Sequence, residues 1–223
     1  MKLPKIFFHC CVFLFSFLTL FIHNANAQNL PLFYDFEDGT YTDWSIISGN
    51  WSVQNILGSN RFGASIQNVY NSSVEARIGN YDWTNYEINL DMLANKGSDR
   101  NIAFRSTEQR TLAFGLNLPV GYGLHMGQGF VTMQKFVAAY PTNNDKNIEE
   151  YDSYTLEGIP SGTITHLKIR LINENIKVYL GTKIDPIINW TDTSLTPILS
   201  GNLALIITTG GDPNSEVWFD NVS

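Results

Sequence analysis

The feature that most constrains the fold is a succession of short segments in which apolar and polar residues alternate. The clearest one runs over residues 86–92, where the even-numbered side chains are apolar and the odd-numbered ones are polar. Successive side chains of a β-strand point to opposite faces, so this pattern predicts one face on a core and one in water. Roughly a dozen such segments, separated by Gly, Asn, Asp, Ser and Pro, fill the chain from residue 32 onward, with no convincing helix. The chain is therefore predicted to be all-β.

The spacing of these segments favours a two-sheet antiparallel β-sandwich. Residues 102–105 and 112–116 are predicted to form a hairpin, and the first and last strands, residues 32–39 and 217–222, are expected to pair. No internal repeat or Pro/Ser-rich linker divides the chain, which predicts one domain over residues 28–223. Because the last predicted strand runs almost to the final residue, the alternative that this is the N-terminal part of a longer protein stays open.

The first 27 residues have the pattern of a secretory signal peptide. Lys2 and Lys5 precede an apolar stretch over residues 6–22, and small residues at a peptidase site end at Ala27. Cleavage is expected before Gln28, which predicts a secreted, periplasmic or cell-surface protein. The alternative is an uncleaved membrane anchor; beyond this stretch the sequence has no apolar run long enough to insert in a membrane.

Charge and cysteine content narrow the set of partners. Removing Lys2 and Lys5 with the signal leaves 12 basic and 21 acidic residues, a net charge of about −9. An acidic chain without a basic cluster argues against nucleic acid and polyanions, and it suits neutral ligands or cations. Both cysteines, Cys10 and Cys11, lie in the signal, so the exported domain must be held by its core, with a metal as a further candidate.

A candidate metal site lies where the first and last strands are expected to meet. Asp35 and Glu37 are two residues apart and share a strand face, while Phe36 points to the core. Pairing of the end strands would bring Asp220 near them, and Ca²⁺ prefers carboxylate and carbonyl oxygens. These three residues are the predicted ligands of a structural calcium ion. The alternative is that they are ordinary solvated acids.

The order of several segments resembles that of the concanavalin A-like jelly-roll group of secreted domains, which includes laminin-G-like modules and 3-keto-disaccharide hydrolase-type domains. The segments that carry the resemblance are residues 34–39, 43–44, 48–53, 101–105, 167–180 and 217–222. A turn that usually contains Asp-Gly is Gly181-Thr182 here, a departure from the group's pattern. The resemblance implies two packed sheets, one of them concave, and often a structural calcium ion. It implies no single activity, because glycosidases, lectin-like modules and adhesive domains share this fold.

Carbohydrate sites combine flat aromatic faces with a few fixed polar groups. Arg105 closes an apolar strand and would face away from Phe104, which predicts that its side chain lies on the concave sheet. For the aromatic residues, a core or rim position is the alternative. The predicted ligand-binding residues are Arg105, Asn101, Tyr122, His125, Gln134 and Trp83.

No catalytic residue is predicted. Glycosidases need two carboxylates flanking the sugar, and the Glu-x-Asp-x-x-Glu strand usual in jelly-roll glucanases is absent. Glu87 and Asp91 are the nearest approach, with different spacing. The sequence therefore favours a secreted, non-catalytic module that binds polysaccharide or cell-surface glycan. Two alternatives stay open: a glycoside hydrolase of the same fold, in which Arg105 binds substrate and Glu87 or Asp91 catalyses, and an adhesion or structural domain of a larger exported protein.

Overall fold

The computed structural model describes residues 31–97, 99–113, 115–137, 148–154 and 160–223, and of residues 148–154 the backbone alone. The predicted signal peptide lies outside these ranges and stays a prediction. In the described part of the chain, no helix is long and apolar enough to cross a membrane.

The described residues form sixteen strands, and no segment among them is helical. In chain order they are β1 Ser45–Ser48, β2 Trp51–Ile56, β3 Ser59–Ile66, β4 Ser72–Ile78, β5 Tyr86–Lys96, β6 Arg100–Ser106, β7 Arg110–Ala113, β8 Leu116–Pro119, β9 Gly121–Met126, β10 Val131–Phe136, β11 Ile148–Tyr154, β12 Ile164–Ile172, β13 Asn175–Leu180, β14 Ile188–Thr191, β15 Asn202–Thr209 and β16 Ser215–Asp220.

Fourteen of these strands form two seven-stranded antiparallel sheets. Sheet I has the order β1-β4-β15-β6-β9-β10-β11, and sheet II has the order β14-β13-β12-β5-β16-β3-β2. The remaining two strands, β7 and β8, form a separate hairpin. The prediction of an all-β, two-sheet antiparallel sandwich is confirmed. The predicted hairpin of residues 102–105 with 112–116 is wrong, because β6 pairs with β15 and β9 instead.

The core lies between the two sheets, and strand alternation builds it. On β5, Ile88, Leu90 and Met92 are buried, while Glu87 and Asp91 face outward, as the sequence predicts. Strand β15 is buried at every position because both of its faces are covered. Burying one large aliphatic side chain contributes about 1.5–3 kcal/mol, so this shared interior is the main source of stability.

The first and last predicted strands meet, as expected. Tyr34 and Val222 form an antiparallel bridge with N–O distances of 2.8 and 2.9 Å. The run does not continue as a strand, since Phe36 has a φ of 56° and the chain turns there. This turn places the Phe36 ring against Phe62, with ring centroids 5.3 Å apart, inside an aromatic cluster that also contains Trp44.

The β7–β8 hairpin lies on the outer face of sheet I. Ala113 and Leu118 of the hairpin are buried in a small second core with Ala103, Ala204 and Ile206 of the sheet. Small side chains on β6 and β15 let the hairpin approach the strands closely. This second core explains why β15 is covered on both faces.

Candidate functional site

Side chains on the outer face of sheet I stand in rows across the strands, because antiparallel register places partners side by side. In one row Asn101 of β6 lies between Ile206 of β15 and His125 of β9. The next row comprises Ala204, Ala103, Gly123 and Gln134. The hairpin packs on the small side chains Ala103 and Ala204 of this second row. A cleft lies beside the hairpin, bordered by the first row and by the end of β15.

The cleft has a volume of about 240 Å³ and two chemically different sides. The apolar side consists of Ala103, Leu116, Leu118, Phe136 and Ile206. The polar side consists of Asn71, Asp99, Asn101, His125, Gln134 and Thr208. Glycine at position 123 is needed for this shape, since a Cβ atom there would lie 2.7 Å from the Phe136 ring.

Most polar groups of the cleft are held by neighbours. The Asn101 Nδ2 donates to Thr208 Oγ1 at 2.7 Å, and His125 Nε2 lies 3.2 Å from Asp99 Oδ1. The His125 ring also contacts Phe130 edge to face, with centroids 4.9 Å apart. These contacts fix the side chains before any ligand arrives, which lowers the entropic cost of binding.

Gln134 differs from these four residues. Its side chain is only 3% exposed, it lines the cleft, and it makes no hydrogen bond within the described residues. Buried amides are normally hydrogen-bonded, so a buried amide open to a cleft is a group that a ligand or water can complete. Gln134 therefore offers both a donor and an acceptor to whatever occupies the cleft.

Three of the predicted binding residues, Asn101, His125 and Gln134, lie together in this cleft. The predicted position of Arg105 is wrong. Two β6 residues oppose one residue of β15 at this point, and Arg105 has a φ of 45°, so this bulge turns its side chain away from the outer face. Its guanidinium is fully buried and donates to the carbonyl oxygens of Thr84, at 2.9 Å, and Ile198, at 3.2 Å.

Tyr122 and Trp83 also lie outside the cleft. Tyr122 is fully buried on the core side of β9, where its hydroxyl donates to Asp192, and burial raises the pKa of this phenol. Trp83 is half-buried and packs edge to face on Tyr86, with centroids 5.7 Å apart. Tyr122 therefore lies in the core and Trp83 at its rim, which is the alternative given for the aromatic residues, because each has an apolar surface to pack against within the protein.

Sequence reasoning missed Asp99 and Thr208, which complete the polar side of the cleft.

It also missed a buried ion pair on the other face of sheet I, where Lys135 Nζ lies 2.8 Å from Asp192 Oδ2. Burial raises the pKa of Asp192, but hydrogen bonds from Lys135, Ser194 and Tyr122 outweigh it and hold that pKa at about 2. The available signal was a lysine at a core-facing position of β10.

The three predicted metal ligands do not form one calcium site. Ser59 Oγ lies 2.7 Å from a Glu37 oxygen and 2.8 Å from Asp220 Oδ2, so two of the carboxylates do meet. Arg61, however, lies 3.2 Å from Asp220 and balances its charge, while Asp35 is exposed and bonds to the backbone N–H of Glu37. In the described ranges no group of three His, Cys, Asp or Glu residues could hold a metal. This set does not fit calcium.

The acids of the hydrolase alternative lie on the other sheet. Asp91 is on the outer face of sheet II, 2.9 Å from His166, and Glu87 lies 3.7 Å from Arg170. Neither residue reaches the cleft. Among the described residues that line the cleft, Asp99 is the one carboxylate.

The sequence matches no family model and no curated protein. Several solved structures have a similar fold. The carbohydrate-binding module CBM66 from Bacillus subtilis is 15% identical, with a TM-score of 0.55 over 81% of this chain and 93% of that chain. The Ca²⁺/Man3GlcNAc-bound exoplasmic/lumenal domain of VIP36 is 11% identical, with a TM-score of 0.56 over 81% and 83%. A glycoside hydrolase family 16 endo-glucanase from Bacteroides ovatus is 9% identical, with a TM-score of 0.57 over 86% and 98%.

These similarities show the fold. The chain has the concanavalin A-like jelly-roll fold of these structures, which is the fold that the sequence resemblance implied. The same fold carries a carbohydrate-binding module, a lumenal glycan-bound domain and a glucanase, so the fold is compatible with binding or hydrolysis of carbohydrate.

Proposed function

We propose that this protein is a secreted, non-catalytic module that binds polysaccharide or cell-surface glycan in the cleft on sheet I. The observation that carries the proposal is the buried Gln134 amide, which opens into the cleft and has no described hydrogen-bond partner. A sugar hydroxyl donates and accepts, so it can complete such an amide.

The two sides of the cleft match the two kinds of surface on a sugar ring. Hydroxyl groups can bond to Gln134, Asn101 and the His125–Asp99 pair, while ring C–H groups can pack on Phe136 and Leu116. Fold similarity to CBM66 and to the Man3GlcNAc-bound VIP36 domain supports this choice of ligand class. The acidic character of the chain favours a neutral glycan.

The hydrolase alternative has less support. Retaining and inverting glycosidases place two carboxyl groups about 5–10 Å apart on either side of the sugar. The described lining of the cleft contains Asp99 alone, and Asp99 is engaged with His125.

The test is migration of the purified protein in native gels that contain mannan, xylan, dextran or mixed-linkage β-glucan, with polygalacturonate as an acidic control. We expect retardation by one neutral polymer without release of reducing ends. Retardation with release of reducing ends would favour the hydrolase. If none of these polymers retards the protein, the carbohydrate proposal is overturned and the adhesion or structural role takes its place.

Two variants locate the binding. Gln134→Ala and Asn101→Ala each remove hydrogen-bonding groups from the cleft and are expected to weaken retardation about tenfold, the effect of roughly 1.4 kcal/mol. Asn89→Ala is the matched control, because Asn89 lies on the outer face of sheet II. Equal effects of Asn101→Ala and Asn89→Ala would show that the cleft is not the site.

Calcium enters the proposal only as a structural ion expected from the family resemblance. Since Asp35, Glu37 and Asp220 do not fit it, we expect a chelator to leave both polymer binding and the melting temperature unchanged. A lower melting temperature in chelator, restored by Ca²⁺, would instead support a structural calcium ion at other ligands.

A further inference from the structure

We infer that the cleft binds the end of a glycan chain, a terminal sugar ring, rather than an internal stretch of the polymer. The inference rests on the proposed function and concerns the same site. It follows from the described walls of the cleft, which close it on three sides.

The first wall is the β7–β8 hairpin. Its apolar residues Leu116 and Leu118 face the cleft, and Ala113 is fully buried against the sheet. Because the hairpin packs on Ala103 and Ala204, it occupies the outer face along the row next to the cleft. A polymer lying on the sheet cannot continue in that direction.

The hairpin is fastened by charge as well as by apolar contact. Arg110, at its start, lies 2.6 Å from a Glu75 carboxylate oxygen, and Arg77 bonds to the other oxygen. Glu75 is on β4 and nearly fully buried. Lifting the hairpin would leave a buried carboxylate short of a partner, which is costly, so the hairpin is a fixed wall.

The same ion pair stands beyond the second side of the cleft. Glu75 lies in the row of Ile206 and Asn101, one strand beyond them, and Arg110 is bound to it there, in the direction in which a polymer would leave the cleft across β4. The cleft lining includes three β15 residues, Ile206, Thr208 and Thr209, and none from strand β4.

The third wall is the loop that precedes β4. Asn71 lines the cleft, and its loop is tied to the turn before β16 by two hydrogen bonds, from Asn68 N to Asn214 Oδ1 at 3.2 Å and from Val69 N to the Pro213 oxygen at 3.0 Å. Ser72 N also donates to Thr209 Oγ1 at 3.0 Å. This end of the cleft is therefore held in place too.

The volume agrees with a single ring. Pockets that enclose a drug-sized ligand have volumes of roughly 300–1,000 Å³. The cleft, at about 240 Å³, is smaller and takes one sugar ring rather than several in series. A recess of this size with walls on three sides favours the end of a chain, because an internal ring would need an exit for the polymer on both sides.

The test is calorimetric titration of the whole protein with oligosaccharides of one to six sugars from mannan, xylan, dextran and mixed-linkage β-glucan. For the sugar that binds, end recognition predicts affinities from disaccharide to hexasaccharide within about threefold of one another. Mild acid hydrolysis of the matching polymer, which creates new ends, should raise the amount of protein bound per gram.

The outcomes separate this inference from the proposed function. An affinity that rises about tenfold or more from disaccharide to hexasaccharide would overturn end recognition and leave carbohydrate binding intact. Binding of a polymer without binding of any of its oligosaccharides would do the same. If neither polymers nor oligosaccharides bind, the proposed function fails and the inference fails with it.

Discussion

The two sheets of this protein carry their charged residues in different ways. On sheet II, opposite charges face each other on the outer surface, as in the pair of Glu87 and Arg170, whose side chains are 40% and 55% exposed. Sheet II also has a buried pair, Arg61 with Asp220, but this pair joins two neighbouring strands, β3 and β16. On sheet I, buried ion pairs hold segments from elsewhere in the chain. The side chains of Lys135 and Asp192 are 2% and 0% exposed, and Glu75 is buried between two arginines.

The difference concerns the segments that the ion pairs hold in place. Exposed ion pairs contribute at most about 1 kcal/mol, so the outer face of sheet II is a solvated surface. Buried pairs cannot lose one partner cheaply, and on sheet I they tie down segments that come from elsewhere in the chain. Lys135 binds the segment after β14 through Asp192, Ser194 and the Thr196 oxygen, and Glu75 binds the β7–β8 hairpin through Arg110.

The largest effect is expected for Lys135→Met. The substitution leaves the Asp192 carboxylate buried without its cation and should lower the free energy of unfolding by about 3–5 kcal/mol, measured by urea denaturation. Lys168→Met on sheet II is the matched control. Lys168 lies over the Tyr179 ring at 4.4 Å, and this variant should lose about 1 kcal/mol or less of its free energy of unfolding. Similar losses in both variants would remove the distinction between the sheets.

The next effect concerns the hairpin. Leu118→Ala should destabilise the protein by about 2–4 kcal/mol, because Leu118 is buried in the second core on sheet I. Leu112→Ala makes the same change at a half-exposed position of β7 and should cost well under about 1 kcal/mol. A small loss of stability in Leu118→Ala would show that packing of the hairpin on the sheet contributes little to the stability of the protein.

A smaller effect is expected from acid. Hydrogen bonds hold the pKa of Asp192 at about 2 against the opposing effect of burial. Its unfolded value is about 4, so the stability that the ionised carboxylate contributes is complete above about pH 4 and is lost as the pH falls through about 2. As the pH falls from about 4 to about 2, the free energy of unfolding measured with urea should decline less in Lys135→Met than in the wild type. Parallel curves would contradict the assigned role of the pair.

The smallest effect is expected on sheet II. Asp91→Asn removes the charge facing His166 but leaves an amide that can still bond to Asn221, so stability should change by about 0.5 kcal/mol or less. Polymer retardation should be unchanged, because Asp91 does not reach the cleft. A loss of retardation in this variant would move the site to sheet II and overturn the comparison.

The sequence predicted the features that depend on residues close together in the chain, namely the strands and the faces to which their side chains point. The alternation over residues 86–92 is found on β5 as predicted, and the first and last segments meet at Tyr34 and Val222. Asn101, His125 and Gln134 lie at alternating positions on β6, β9 and β10, and all three side chains reach the cleft. Strand period is a local property, so sequence alone can assign faces wherever the strand is regular.

Only the tertiary structure could decide the features that depend on contacts between residues far apart in the sequence. A single extra residue in β6 opposite β15 reverses the face of Arg105, and a bulge of this kind is visible only when the paired strand is known. Lys135 is acceptable in the interior because Asp192, 57 residues later, meets it there. The position of the β7–β8 hairpin, and with it the walls of the cleft, likewise follows from packing against strands that local pattern cannot identify, because long-range contacts leave no periodic mark in the chain.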